Sequence, residues 1–371
     1  MKKILLAIAC IALSAGMMAQ DVDKATVEGQ AAAAKNAAGD LKAIDTGEKN
    51  WKFDGVVGLN AAATGLINWA AGGNNNVNGV AYAKLHLLYH KNAIAWETNF
   101  DTDFGMTWID QENDALQKSS DNIKLATKFG WEFKESWYLT ALGSFQSQYA
   151  FGRAYTGDAG YDQVISKWLA PSYTDISIGI DWKKSVNGAD FSIYLSPIAG
   201  RIATAWVSDA MNDKINAEAG AGDFRTDLQQ RYGTYRYTKD AVTIDGVDYA
   251  AGDKIPRDFR AELGLSFKGS IAYKYENLTL GTTLGLFTPY QGKGFDITDP
   301  YFQYSNKNRQ FGHFDVDWDV AISYQFLKVL NVTLNTNLKY YPGVLIADKN
   351  GVLKERVQFK SVLGLGIGYS F

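Results

Sequence analysis

From Trp51 onward, apolar and polar residues alternate with a period of two, over unusually long runs. Val332, Leu334, Thr336, Leu338 and Tyr340 alternate with Thr333, Asn335, Asn337 and Lys339. Phe314, Val316, Trp318, Val320, Ile322, Tyr324 and Phe326 alternate with Asp315, Asp317, Asp319, Ala321, Ser323 and Gln325. Side chains leave an extended strand on opposite faces in turn, so each run has one greasy face and one polar face. Runs of about 12–16 residues exceed the ~5–6 of ordinary globular strands. They suit a tilted strand crossing hydrocarbon, which needs ~9–11 residues plus its rims.

Twelve such runs are expected, near 52–64, 77–90, 93–108, 121–134, 136–151, 173–184, 190–206, 259–275, 277–290, 313–326, 331–342 and 356–371. The connections between them alternate in length. Lys91-Asn92, Glu135, Ser185–Ala189, Glu276 and Leu327–Leu330 are short; 65–76, 109–120, 152–172, 207–258, 291–312 and 343–355 are long. A soluble sandwich has no reason to alternate so. An outer-membrane barrel does, with short periplasmic turns and long outer loops. The expected fold is all-β: a closed antiparallel transmembrane β-barrel of about twelve strands over 51–371. An even count puts both chain ends in the periplasm. Two further strands, around Arg231–Thr238 and Ala241–Tyr249, are the alternative within the longest loop.

The start of the chain fits this address. Lys2 and Lys3 precede the apolar run Ile4–Leu13, and small residues lead to Ala19-Gln20. That is a secretory signal pattern, expected to be cut after Ala19. Residues 20–50 are rich in Ala, Lys, Asp and Gly and read as a flexible periplasmic lead-in. Cys10, the one cysteine, falls inside the signal segment, so no disulfide, thiolate or cysteine metal site is expected beyond it. Without Lys2 and Lys3 the chain keeps 35 basic residues against 40 acidic, which gives no footprint for nucleic acid. No cofactor and no metal is expected: Asp315-x-Asp317-x-Asp319 lacks the glycine and glutamate of a calcium loop.

Aromatic residues gather near run ends, as at the two faces of a bilayer: Trp96, Trp131, Trp137, Trp182, Tyr275, Tyr324 and Tyr369 at one end, Trp108, Trp206, Tyr290 and Tyr340 at the other. The closing run resembles the signal read by the barrel-assembly machinery, a glycine followed by two spaced aromatics, here Gly366, Tyr369 and Phe371. Expected partners are therefore that machinery, outer-membrane lipid and lipopolysaccharide.

Several patches resemble an uncharacterised family of Bacteroidetes-type outer-membrane barrels, a domain of unknown function. They are Asn68-Trp69-Ala70-Ala71-Gly72-Gly73-Asn74, Trp96-Glu97-Thr98-Asn99, Lys118-Ser119-Ser120-Asp121, Gln148–Gly152, Ala170-Pro171, Leu195-Ser196-Pro197, Phe287-Thr288-Pro289-Tyr290 and Val316-Asp317-Trp318. The resemblance implies a barrel and its location, and no activity. Where relatives carry acidic residues after the tyrosine near the end of the eleventh run, this chain has Tyr340-Tyr341-Pro342-Gly343.

Strand parity places acidic and basic residues inward in equal numbers, and cross-strand ion pairing is their simplest role. Two clusters stand out. Asp315, Asp317 and Asp319 form an acidic column whose neighbours offer Thr279, Thr283, Phe287 and Lys339, so it can attract a cation. Glu97, Asp101 and Asp103 form a second column, within reach of Lys84, Lys124 and Lys128. In the long loop, Arg225, Arg231, Tyr232, Tyr235 and Arg236 suit an anionic glycan or lipopolysaccharide, an inward-folded plug, or plain solvated packing. Catalysis is not expected. Outer-membrane phospholipase barrels pair a His with a Ser two residues on, whereas His86-Leu87-Leu88, His90-Lys91-Asn92 and His313-Phe314-Asp315 do not. A narrow, weakly cation-preferring pore for small solutes is the first reading. A non-conducting structural or assembly barrel acting through its outer loops is the alternative, and a barrel-borne hydrolase comes last.

Overall fold

The computed structural model describes residues 50–64, 75–110, 115–154, 163–219, 223–238, 240–244, 246–290, 311–326, 330–342, 345–347 and 353–370. The signal segment, the lead-in up to residue 49, Phe371 and the whole Asn68–Asn74 patch lie outside these residues. Twelve long strands form one antiparallel sheet among the described residues. They are β1 (Trp51–Thr64), β2 (Asn76–Lys91), β3 (Ile94–Ile109), β4 (Leu116–Lys134), β5 (Trp137–Ser147), β6 (Ser172–Val186), β7 (Ala189–Thr204), β8 (Phe259–Tyr275), β9 (Leu278–Pro289), β10 (Asp315–Gln325), β11 (Leu330–Tyr340) and β12 (Gln358–Ser370). Each pairs with its neighbour in sequence. β12 pairs with β11 over ten residue pairs and meets β1 over four, Val56–Leu59 against Ile367–Ser370.

Tight turns set the register. Asn187 and Gly188, between β6 and β7, both have positive φ, at 50° and 80°. That is the two-residue hairpin turn whose twist matches antiparallel strands, and Asn-Gly is its favoured pair. The segments near Arg231–Thr238 and Ala241–Tyr249 do not join the main sheet. Tyr235–Tyr237 pairs with Lys254–Pro256, and Val242–Ile244 with Val247–Tyr249, as small hairpins of the long connection.

The burial pattern is the reverse of a soluble protein's. Asn78, Thr107, Thr140, Asp103 and Asp181 are among the most buried side chains, while Leu125, Phe129, Trp131, Ile176, Ile193, Leu195 and Trp318 are exposed. On β6 the two kinds alternate directly, with Ser177 and Asp181 buried and Ile176, Ile178 and Ile180 exposed. The outward face also satisfies its own polar atoms: the indole N–H of Trp96 donates to Thr127 Oγ1 at 2.8 Å, and that of Trp318 to Thr282 Oγ1 at 2.9 Å. A side chain in contact with water would not need such a partner, but one in hydrocarbon does. Leu125, at the centre of β4, tests this directly. Leu125→Arg is expected to cost ~2–4 kcal/mol in vesicle-based unfolding, as a midplane cation on a lipid face does; a soluble outer surface would tolerate it.

One irregularity decides where charge goes. Simple alternation through β7, with Tyr194 inward, sends Arg201 outward. Instead the register shifts between Ile178 and Ile180 on the β6 side, and between Gly264 and Ser266 on the β8 side. Pro197 and Ile198 are consecutive and both exposed, and beyond them Ala199 and Ala203 are buried. A proline inside a strand marks such a bulge, because it has no N–H for the ladder. Ser196 Oγ lies 2.7 and 2.9 Å from the carbonyls of Ile178 and Ile198, and its one proton is shared between them. Gly179 fits against the bulge because it has no Cβ, which would overlap the Leu195 carbonyl. Gly179→Ala is expected to cost ~1–3 kcal/mol through overpacking, read as a lower unfolding midpoint.

Candidate functional site

Inside the sheet, side chains from β4 to β11 surround a cavity of about 200 Å³. It exists because its walls carry small inward residues, among them Ala126, Ser144, Ser177, Ala199, Ser266 and Thr283. Charged groups line it on all sides: Asp175, Asp315, Asp317 and Asp319 against Lys124, Arg201, Arg260, Lys268 and Lys339.

Arg201 crosses this space as a bar. Its Nε and Nη2 grip the two oxygens of Asp175 at 2.6 and 3.2 Å, and its Nη1 reaches Asp315 at 2.6 Å. The guanidinium also lies 4.7 Å from the Phe287 ring centre. Asp175 is on β6 and Asp315 on β10, so one side chain ties walls four strands apart. Only guanidinium presents a planar fork able to serve two carboxylates. The β7 bulge aims it there, so parity counted from Tyr194 misses it. The Leu195-Ser196-Pro197 patch was the available signal.

The first acidic column is therefore divided. Asp315 is held by Arg201. Asp317 meets Lys339 at 3.4 Å, Asn337 at 2.9 Å and the Tyr341 hydroxyl at 3.0 Å. Asp319 accepts from Asn337 at 2.6 Å and has no ion pair among the described residues. Tyr341, just beyond β11, thus serves the middle acid of β10. The compensation of Asp315 thus comes from Arg201 on β7, not from a neighbouring strand, and that of Asp317 from Lys339 on the neighbouring β11. In the second column, Glu97 contacts His86 Nε2 at 3.2 Å, Asp101 meets Lys84 at 3.9 Å, and Asp103 accepts from Ser120. A His–carboxylate pair supplies a base, but acyl transfer needs a nucleophile and an oxyanion pocket as well.

Toward the short turns the lumen narrows to a packed layer. Asp181 is fully buried; it ion-pairs with Lys128, lies 3.8 Å from Lys183 and accepts from Ser192 at 2.8 Å. Lys128 sits over the Tyr194 ring and Lys183 over Tyr138, at 5.5 and 5.6 Å. Tyr194 shares a 2.8 Å hydrogen bond with Ser177. Lys128, expected to serve the Glu97 column, turns to Asp181 because that carboxylate lies between two lysines and two tyrosines.

At the opposite end the long connections fold together. Helix α1 (Asp209–Ala219) and helix α2 (Phe224–Arg231) place Ile215, Phe224 and Leu228 against Val164, Ala170, Ala205 and Val207. Tyr232 donates to the Ile165 carbonyl at 2.6 Å, and burial raises its pKa well above the ordinary phenol value. Arg260 of β8 donates to the Gly233 carbonyl at 2.5 Å, and Arg257 N–H to Thr234 O at 2.8 Å. Tyr235 is buried with Lys254 over its ring. Arg225 pairs with Asp209 and so clasps the helices. Arg231 is half-buried, and the side chain of Arg236 lies outside the described ones.

Asp223 begins α2. Burial pushes its carboxyl up, and hydrogen bonds from Thr226, Asn212 and Asn216 more than reverse this, so it titrates below the ordinary value. A lowered folded-state pKa contributes stability above the ordinary carboxylate range of about 4 and loses it as pH falls through the lowered value. Local loosening of α1–α2 is thus expected below pH ~4, with Asp223→Asn abolishing that component; hydrogen exchange over 209–231 reads it out.

Most of the family-resembling patches meet along this same rim. Asp121 accepts the N–H of Tyr149 and Ala150 at 2.7 and 2.8 Å and pairs with Lys118 at 2.8 Å. Gln148 donates to Ala170 O at 2.9 Å, and the Tyr290 hydroxyl to Pro197 O at 2.6 Å. Backbone pairing sets Gly366 opposite Asn331 and Tyr369 opposite Val57.

Solved structures similar to the chain include the autotransporter NalP translocator domain from Neisseria meningitidis, at 11% identity, 88% and 90% coverage of the two chains and a TM-score of 0.33. An outer-membrane channel from Pseudomonas putida F1 is similar at 13% identity, 89% and 100% coverage and a TM-score of 0.37. Outer-membrane phospholipase A from Escherichia coli is similar at 9% identity, 93% and 98% coverage and a TM-score of 0.32. No curated protein matches. Residues 62–152, about a quarter of the chain, match the family described as "Protein of unknown function (DUF3078)", in keeping with the resemblance to a domain of unknown function read from the sequence.

Proposed function

We propose that this chain is an integral outer-membrane β-barrel, closed along the β1–β12 seam, whose lumen is shut at rest by its own side chains. The supporting observation is the loss of water contact by inward polar residues on both sides of the sheet. Asn78 and Asp103 are each 2% exposed, Thr140 1% and Asp181 0%. A conducting shaft leaves such groups wet. Twelve strands lie between the eight that side chains fill and the sixteen that leave a channel, so lumen bulk decides, and here tyrosines and ion pairs supply it. The exposed apolar outer face supports the membrane setting. The long connections, with their own small core over one mouth, are the part available to partners outside. Both ends of the chain then lie on the short-turn, periplasmic side.

This reading favours a non-conducting barrel working through its outer rim over an open pore. Refolded protein in planar bilayers, verified as folded by its resistance to detergent denaturation, is expected to give no stable conductance steps. Steady ion-selective steps from the unmodified chain would overturn the occluded reading and restore the pore.

A further inference from the structure

Three groups in the cavity beneath the Arg201 bar keep hydrogen-bonding capacity that the described residues do not use. Asp319, on β10, is exposed to the space and accepts from the Asn337 amide alone. A carboxylate has roughly four lone-pair sites, so most of that capacity stays open. Tyr173, on β6, sets its ring against Tyr341 at 6.2 Å, while its hydroxyl has no hydrogen-bond partner among the described residues. Ser266, at the register shift of β8, brings a hydroxyl in the same condition. The ion pairs around them, Arg201 with Asp175 and Asp315, and Lys339 with Asp317, are matched within the protein.

The facing wall has another character. Ala126 on β4 and Leu142 on β5 line the cavity, and these strands stand across the barrel from β10 in the sheet order. Lys124 and Ser144 flank them on the same two strands. The space, of about 200 Å³, thus offers hydrogen bonds on one side and a C–H surface on the other. A sugar ring is built the same way, with hydroxyls at its edge and C–H groups on its faces. We propose that this cavity binds a neutral polyhydroxylated molecule the size of one pyranose sugar. Two neighbouring hydroxyls donate to Asp319, others exchange hydrogen bonds with Tyr173 and Ser266, and a C–H face lies toward Ala126 and Leu142. Hydroxyls taken out of water need such partners, and those given to a carboxylate are the stronger kind. The inference goes beyond the occluded barrel, and the two fail separately: conductance tests occlusion and binding tests the cavity.

The test is calorimetric titration of the full refolded chain with D-glucose, D-galactose and D-mannose, in a detergent without a sugar headgroup. Cyclohexanol, a ring of the same size with one hydroxyl, and ethylamine, a bare cation, are the controls. Saturable binding of at least one hexose, and weaker or no binding of both controls, is expected. Asp319→Asn keeps the shape and replaces one acceptor oxygen by a donor, and is expected to weaken binding at least about tenfold. Tyr173→Phe and Ser266→Ala each remove a single oxygen and are expected to weaken it by a smaller factor. Glu276→Gln, in a short turn, leaves it unchanged. Folded protein that binds none of the three hexoses up to about 50 mM would overturn the proposal. So would equal binding of cyclohexanol, or unchanged binding in Asp319→Asn. Ethylamine binding as tightly as the hexoses would make Asp319 a cation seat and overturn it as well.

Discussion

Asp181→Ala is expected to lower the unfolding free energy by ~3–5 kcal/mol, the range for breaking a buried ion pair from one side. The carboxylate has no exposed surface and is flanked by Lys128 and Lys183. Its loss leaves two cations in a packed layer where the other carboxylate, Glu97 on β3, already meets His86. Water must then enter, or the lysines must lose their protons. Asp181→Asn retains the shape and the Ser192 contact but not the charge, so most of the loss is expected to remain. Replacing the pair together, Asp181→Leu with Lys128→Met, removes both the charge and its partner and is expected to recover much of it. Urea unfolding in lipid vesicles gives all three values. A change within ~0.5 kcal/mol for Asp181→Ala is what a wet, exposed site would show, and it would contradict a sealed layer.

Arg201→Ala is the second large effect, again ~3–5 kcal/mol, because it removes the guanidinium that serves both Asp175 and Asp315. Here the conservative change is informative. Arg201→Lys keeps the charge but offers one ammonium in place of a planar fork, so it can approach one carboxylate and not grip Asp175 through two atoms while reaching Asp315. Less than half of the loss is expected to be restored. A full rescue by lysine would mean that net charge alone matters and that the bar across the lumen has no geometric role. Asp315→Asn and Asp175→Asn should couple to Arg201→Lys and not to Leu125→Arg, which sits on the lipid face away from them.

The antiparallel all-β fold was open to sequence reading because one physical demand repeats along the whole chain. Lipid on one side and a polar interior on the other force period two, and β10 and β11 obey it without a register shift. The same reasoning placed Asp315, Asp317, Asp319, Glu97, Asp101 and Asp103 inward. It failed where the period breaks. Pro197 adds a residue to β7, and every side chain beyond it changes face, which turns Arg201 from an apparent lipid-facing residue into the centre of the lumen. Pairing across the lumen was also beyond reach: strand neighbours can be listed by register, but Lys128 with Asp181 and Arg201 with Asp315 depend on sheet curvature. The long connection followed different rules again. Its Arg and Tyr residues look alike in sequence, yet Tyr232 packs against the small core of α1 and α2 and Tyr235 is buried under Lys254, while Arg225 clasps the helices.

The most direct measurement is a single-cysteine accessibility scan along β6 and β7, made feasible because the sole native cysteine is Cys10. A spin label at Ile193, Leu195 or Ile198 should relax with dissolved oxygen, which concentrates in lipid, and ignore a water-soluble nickel chelate. At Ser177, Ser192 or Ala199 it should be shielded from both, with the change of phase falling between Ser196 and Ile198. Strong nickel relaxation at the second set would show water running through the lumen and contradict the occluded barrel.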